Sequence, residues 1–162
     1  MNLKELAKAV NLSPPNHSIL IYGPPKSGKT RLVGTAIALP EVKRIFWFDL
    51  ENGVETLLHM GLSDADLEKV TVFRVANTRD NPIGIETMLR AFSAKTPIQI
   101  CDAHGKVACA ACTAAKASFT PLRLGDCTHE DLIVIDSGSE LGDSALAAAC
   151  KGKPIEYKHC LS

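Results

Sequence analysis

The sequence predicts an α/β fold: a mostly parallel sheet with helices on both faces, interrupted by a small Cys/His-rich insertion. Three observations predict it. Compact apolar runs alternate with stretches of helical spacing, a glycine-rich loop joins the first run to the helix after it, and residues 98–128 break the pattern with a cluster of Cys and His. The chain has 162 residues, of which 46% are hydrophobic and 22% charged, which suits one domain spanning 1–162 with the insertion inside it.

Residues 1–12 mix Leu, Ala and Val with Lys and Glu at helical spacing, and Ser13-Pro14-Pro15-Asn16 ends that helix. His17-Ser18-Ile19-Leu20-Ile21-Tyr22 is an apolar run ending at Gly23, as a buried parallel strand should, and residues 29–39 form a helix stopped by Pro40. Residues 44–49, rich in aromatic side chains, are the next strand and end in an acidic turn, Asp49-Leu50-Glu51-Asn52-Gly53. Helical spacing follows at 54–60 and again at 83–93, with an alternating strand at 70–75 between them. The third long apolar run, 131–136, leads through Ser137 into an alanine-rich helix ending near Ala149.

Lys plus Arg and Asp plus Glu both number 18, so no global basic field draws the chain to nucleic acid or anionic membrane. The first residues carry charges of both signs and lead into no long apolar run, which predicts a cytoplasmic protein without a membrane partner. Cysteines in such a compartment stay reduced, so clustered ones point to metal before disulfide.

Gly23-Pro24-Pro25-Lys26-Ser27-Gly28-Lys29-Thr30 fits G-x-x-x-x-G-K-[ST], a phosphate-binding loop. Backbone N–H groups of such a loop wrap phosphates, and the following helix favours negative charge at its start. Lys29 is the residue to reach the β- and γ-phosphates, Thr30 the one to place a hydroxyl on Mg2+, and Arg31 extends the nucleotide-contacting set. Asp136 ends the 131–136 strand, where a parallel sheet delivers side chains to its ligand crevice, and is the candidate acid of the Mg2+ shell. Glu51 lies just beyond the 44–49 strand and is the candidate to orient or deprotonate an attacking water, with Asp49 its nearest competitor.

Taken together, the loop, the Phe46-Trp47-Phe48-Asp49-Leu50-Glu51-Asn52-Gly53 segment and Leu132-Ile133-Val134-Ile135-Asp136-Ser137 resemble the core of RecA-like recombinase ATPases, with small phage-borne members the best match. The resemblance covers about residues 17–60 and 130–150. It implies ATP as nucleotide, Glu51 as catalytic base with Lys29 beside it, and Asp136-Ser137 as the Walker B pair. It also implies single-stranded DNA as partner, a homo-oligomeric ring or filament, and a role in recombination or single-strand annealing in the host cytoplasm. RecA-like cores continue with further strands and DNA-binding loops beyond the point where Ser162 ends this chain, so a truncated core is expected. Two other functions compete: a zinc-containing nucleoside kinase similar to thymidine kinases, and a nucleotide-gated DNA-binding or assembly module with little turnover.

Within the insertion, Cys101-Asp102-Ala103-His104 and Cys109-Ala110-Ala111-Cys112 give C-x2-H-x4-C-x2-C. Two chelating pairs of such ligands suit a closed, tetrahedral, structural Zn2+, with Cys127 and His129 as alternates. Cys150 and Cys160 are expected as simple thiols, His17 and His59 as structural, and Trp47 as core. Because 98–128 carries few large apolar residues, loss of the ion is expected to unfold it while sparing the sheet and ATP binding.

Overall fold

The computed structural model describes residues 17–78 and 81–150 of the chain. Helical residues expected at 1–12, and Cys160, lie outside the described residues.

Three parallel strands form the main sheet: β1 (Arg44–Asp49), β2 (Val70–Arg74) and β5 (Asp131–Asp136), in the order β2-β1-β5. β1 is central because its two faces are both apolar. Ile45 and Trp47 point into a cluster with Ile37, Val54, Leu57 and Val134, while Phe48 points into a second cluster with Phe73, Ile83, Met88 and Ala91. Successive side chains of a strand face opposite ways, so one strand feeds two cores and the sheet must be covered twice. Stacking of Phe48 on Phe73, with ring centroids 5.0 Å apart, ties β1 to β2 on one face. At the opposite end of the sheet from the site, Arg44 clamps Asp131 through bonds of 2.8 and 2.7 Å, fixing the register in which Asp49 lies beside Asp136.

Helices cover both faces, as the alternation of strands and helical spacing predicted. On the Phe48 face lie α3 (Ile83–Ser93) and α5 (Gly138–Ala149), packed on each other. Ser144 of α5 accepts a hydrogen bond from Ile85 N of α3 at 3.0 Å. The Trp47 face carries α1 (Lys29–Gly34), the 3-10 segments Thr35–Ala38 and Gly53–His59, and the short α2 (Asp64–Leu67). The helix expected over 29–39 is thus α-helical only to Gly34 and finishes as a tighter 3-10 turn, and the helix expected over 54–60 is the 3-10 segment Gly53–His59.

One expectation needs correction. Residues 17–22 form no strand: Ile19, Leu20 and Tyr22 are 82%, 84% and 89% exposed, and β5 ends the sheet with its outer edge unpaired among the described residues. An apolar run becomes a strand only when it engages a neighbour's N–H and C=O groups, and that pairing has no local signature. The Cys/His-rich insertion packs on the main core. It contains the antiparallel pair β3 (Ile98–Cys101) and β4 (Phe119–Leu122), with α4 (Ala110–Ala114) between them. Its Ile100, Val107, Leu122 and Leu124 are buried in the same cluster as Phe48 and Phe73. Few apolar residues were enough, because they complete a core that the sheet begins. Among the described residues no helix is long and apolar enough to cross a membrane.

Candidate functional site

The glycine-rich loop lies at the exposed entrance to α1, with Gly28 (φ 87°) and Lys26 (φ 63°) both in the left-handed region. A turn closed by Ser27 N donating to Pro24 O at 3.2 Å curls the backbone, and the Lys29 ammonium folds back to donate to Gly23 O at 3.2 Å and Pro24 O at 3.1 Å. Pro25 and Arg31 stand exposed beside it. Thr30 reaches the sheet: its hydroxyl donates to Asp136 Oδ2 at 2.9 Å, across 106 residues of sequence. Gly53 presses against this pair, since a Cβ there would lie 3.0 Å from Asp136 Oδ2 and 3.3 Å from Thr30 Oγ1. The loop, the acidic turn and the end of β5 therefore meet at one place, at the C-terminal edge of the parallel sheet.

The acidic turn is tethered there twice. Leu50 N donates to Asp136 O at 2.6 Å, and the Ser137 hydroxyl donates to Glu51 Oε1, 86 residues away in sequence. Glu51 itself is exposed. Its competitor Asp49 has the opposite situation: it is 1% exposed, and its Oδ1 accepts from Gly53 N at 2.9 Å, pinning the start of the 53–59 turn. Burial pushes the Asp49 carboxyl above its ordinary range, the Gly53 and Val54 N–H groups pull it back, and Asp136 adds to the rise while Arg74 opposes it. An enclosed carboxylate used as a backbone cap is poorly placed to receive a proton from bulk-facing water, so Glu51 is the better candidate.

Ser137 was read from sequence only as part of the Asp136-Ser137 pair, and its place as a helix cap was missed. The signal was present: Ser137 and Glu140 form S-x-x-E at the start of a helix, a capping box, and in the structure Ser137 Oγ accepts from Glu140 N at 3.4 Å.

The second cluster is built by β3 and α4. Cys101 ends β3 and opens a tight turn in which Gly105 N donates to Cys101 O at 2.8 Å, presenting His104. Gly105 (φ 68°) cannot be replaced cheaply: a Cβ would lie 2.4 Å from Arg74 O. Cys109 precedes α4 and Cys112 lies one turn along it, so both sulfurs point the same way. Cys101, Cys109 and Cys112 are buried, and the ligand atoms of all four residues lie within 4.8 Å of one another. His104 Nδ1 is 3.8 Å from Cys101 Sγ, 3.9 Å from Cys109 Sγ and 3.0 Å from Cys112 Sγ. Sulfurs about 2.3 Å from a tetrahedral zinc sit about 3.8 Å from one another, so the cage has the right size.

The close thiols shift one another's titration in opposite directions. The Cys112 backbone N–H lowers the Cys109 thiol to about 7 against the cost of burial, with bonds from Cys112, Cys101 and His104 assisting. Cys112 is pushed up to about 12, first by burial and then by the neighbouring Cys109 and Cys101 sulfurs. A divalent ion held by these residues would offset the charge of their thiolates. A Cys3His group at this spacing can hold a metal such as zinc. The alternates are not drawn in. Cys127 packs partly buried against the main core near Arg44 and Asp131, and His129 stands exposed. Cys150 caps the C-terminal end of α5, His59 is exposed, and Trp47 is fully buried in the core.

The purified protein is expected to carry about one Zn2+ per chain, and Cys109→Ser to lose it. Because the insertion shares the core of the sheet, metal removal should lower the melting temperature of the whole domain instead of releasing 98–128 alone. Elemental analysis and thermal melts of both proteins, with and without chelator, check this. Stoichiometric zinc in Cys109→Ser would exclude that cysteine from the site. In comparisons with known proteins, no family model, no curated protein and no solved structure matches the chain.

Proposed function

We propose that the chain binds ATP with Mg2+ in the 23–30 loop and hydrolyses it, with a structural Zn2+ on Cys101, His104, Cys109 and Cys112. The observation that carries the reading is the Thr30–Asp136 hydrogen bond of 2.9 Å. It joins the hydroxyl that ends a G-x-x-x-x-G-K-[ST] loop to the acid that ends a parallel strand, the two residue types that share a Mg2+ shell in phosphate-loop enzymes. Lys29 would exchange its bonds to Gly23 O and Pro24 O for phosphate oxygens. Water, giving a proton to Glu51, would attack the γ-phosphorus as the bond to the bridging oxygen breaks, releasing ADP and inorganic phosphate. The role in DNA recombination or single-strand annealing, with single-stranded DNA as partner and a ring or filament as the working form, rests on the sequence resemblance.

Phosphate release tests the reading. The expected result is Mg2+-dependent release from ATP that rises when single-stranded DNA is added. Transfer of phosphate to thymidine would identify a nucleoside kinase instead. ATP bound tightly without release would identify a nucleotide-gated module.

A further inference from the structure

We propose that Ser137 is a positioning residue for hydrolysis, its hydroxyl holding the Glu51 carboxylate at the end of β5 beside the Thr30–Asp136 pair. The inference rests on the reading of Glu51 as the base.

A glutamate on an exposed turn has several rotatable bonds and no reason to hold one position. Here both ends of its reach are tied. Its preceding residue is fixed to β5 by Leu50 N donating to Asp136 O at 2.6 Å, and Asn52 turns the chain away immediately after it with φ 58°. The carboxylate tip is then caught by Ser137, a residue only 9% exposed.

The direction of that bond follows from the partners of the hydroxyl. Ser137 Oγ accepts from Glu140 N at 3.4 Å, which engages an oxygen lone pair and leaves the O–H hydrogen free to point elsewhere. Glu51 Oε1 is the acceptor in its path. One hydroxyl thus caps α5 and aims Glu51, and Oε2 is the less engaged oxygen for an attacking water. Ser137 touches neither water nor nucleotide in this scheme; it acts through Glu51. A misplaced base slows chemistry without altering ground-state affinity, because phosphate contacts lie on Lys29 and the loop.

The experiment is steady-state ATP hydrolysis by the full chain, with nucleotide affinity measured separately. Ser137→Ala is expected to lower kcat about tenfold and to leave KM for ATP within about twofold. Ser137→Thr, which keeps a donating hydroxyl, should recover most of the loss. Ser137→Asp keeps an acceptor for Glu140 N but sets a carboxylate against Glu51, so it should be slow while α5 stays capped. The double variant Ser137→Ala/Glu51→Gln should be no slower than Glu51→Gln alone, since both act on one step. If Glu51→Gln is slow while Ser137→Ala or Ser137→Asp keeps wild-type kcat, or if the double variant loses the product of both effects, the Ser137 inference is overturned alone. A Glu51→Gln protein with undiminished turnover, or a wild type without any, would overturn the base reading and this inference together.

Discussion

Glu51→Gln is expected to leave ATP affinity unchanged while lowering hydrolysis about 100-fold or more, the usual scale of general-base loss. The substitution is well matched to the geometry. A glutamine carbonyl still accepts from the Ser137 hydroxyl, so the side chain stays where Glu51 sits and loses only its ability to take a proton. Affinity is spared because the expected phosphate and Mg2+ contacts fall to Lys29, Thr30 and the loop amides, and the bonds that hold Lys29 and Thr30 do not involve Glu51. Calorimetric binding and phosphate release, measured on the same preparation, separate the two quantities. Equal losses in both would mean that Glu51 supports the loop instead of the chemistry. Full turnover in the variant would return attention to Asp49, in spite of its burial and its bond to Gly53 N.

Lys29→Ala is expected to weaken ATP binding by about 2 to 4 kcal/mol, the cost of losing a charged partner of the phosphates. At the low end this is about 30-fold in affinity, and at the high end close to 1,000-fold. The Lys29 ammonium donates to Gly23 O and Pro24 O, which places it at the mouth of the loop. Isothermal titration with ATP and Mg2+ reads the change, and a thermal melt shows whether the variant is folded. Unchanged affinity in a folded variant would remove the phosphate-loop assignment. Because Lys29 acts on binding and Glu51 on turnover, one protein can fail the first test and pass the second, and the outcomes do not mask each other.

The strands at 44–49, 70–74 and 131–136 and the helix at 83–93 were legible because their signals are local. Alternation and helical period are properties of a few consecutive residues. The Cys/His cage was legible for the same reason: two chelating pairs at C-x2-H and C-x2-C spacing bring their ligands together by short turns, and the structure adds only the approach of one pair to the other. The run at 17–22 shows the limit of this kind of reading. Its composition is that of a buried strand, yet it is exposed and unpaired, because a strand is defined by its neighbours.

By itself the sequence determined the residue types available for chemistry: a glycine-rich G-x-x-x-x-G-K-[ST] loop, two carboxylates at strand ends, and four Cys/His ligands in a short span. The tertiary structure decided which of them meet. Strand order placed β5 beside β1, and the Arg44–Asp131 clamp set the register that lays Asp136 next to Asp49. That register brings Thr30 to Asp136 and Ser137 to Glu51 across 106 and 86 residues. It also merged the insertion into the main core and left Cys127 outside the cage. Contacts of such sequence separation depend on how crossovers pack and which edges pair, quantities set by the burial of whole faces, and no window of neighbouring residues contains them.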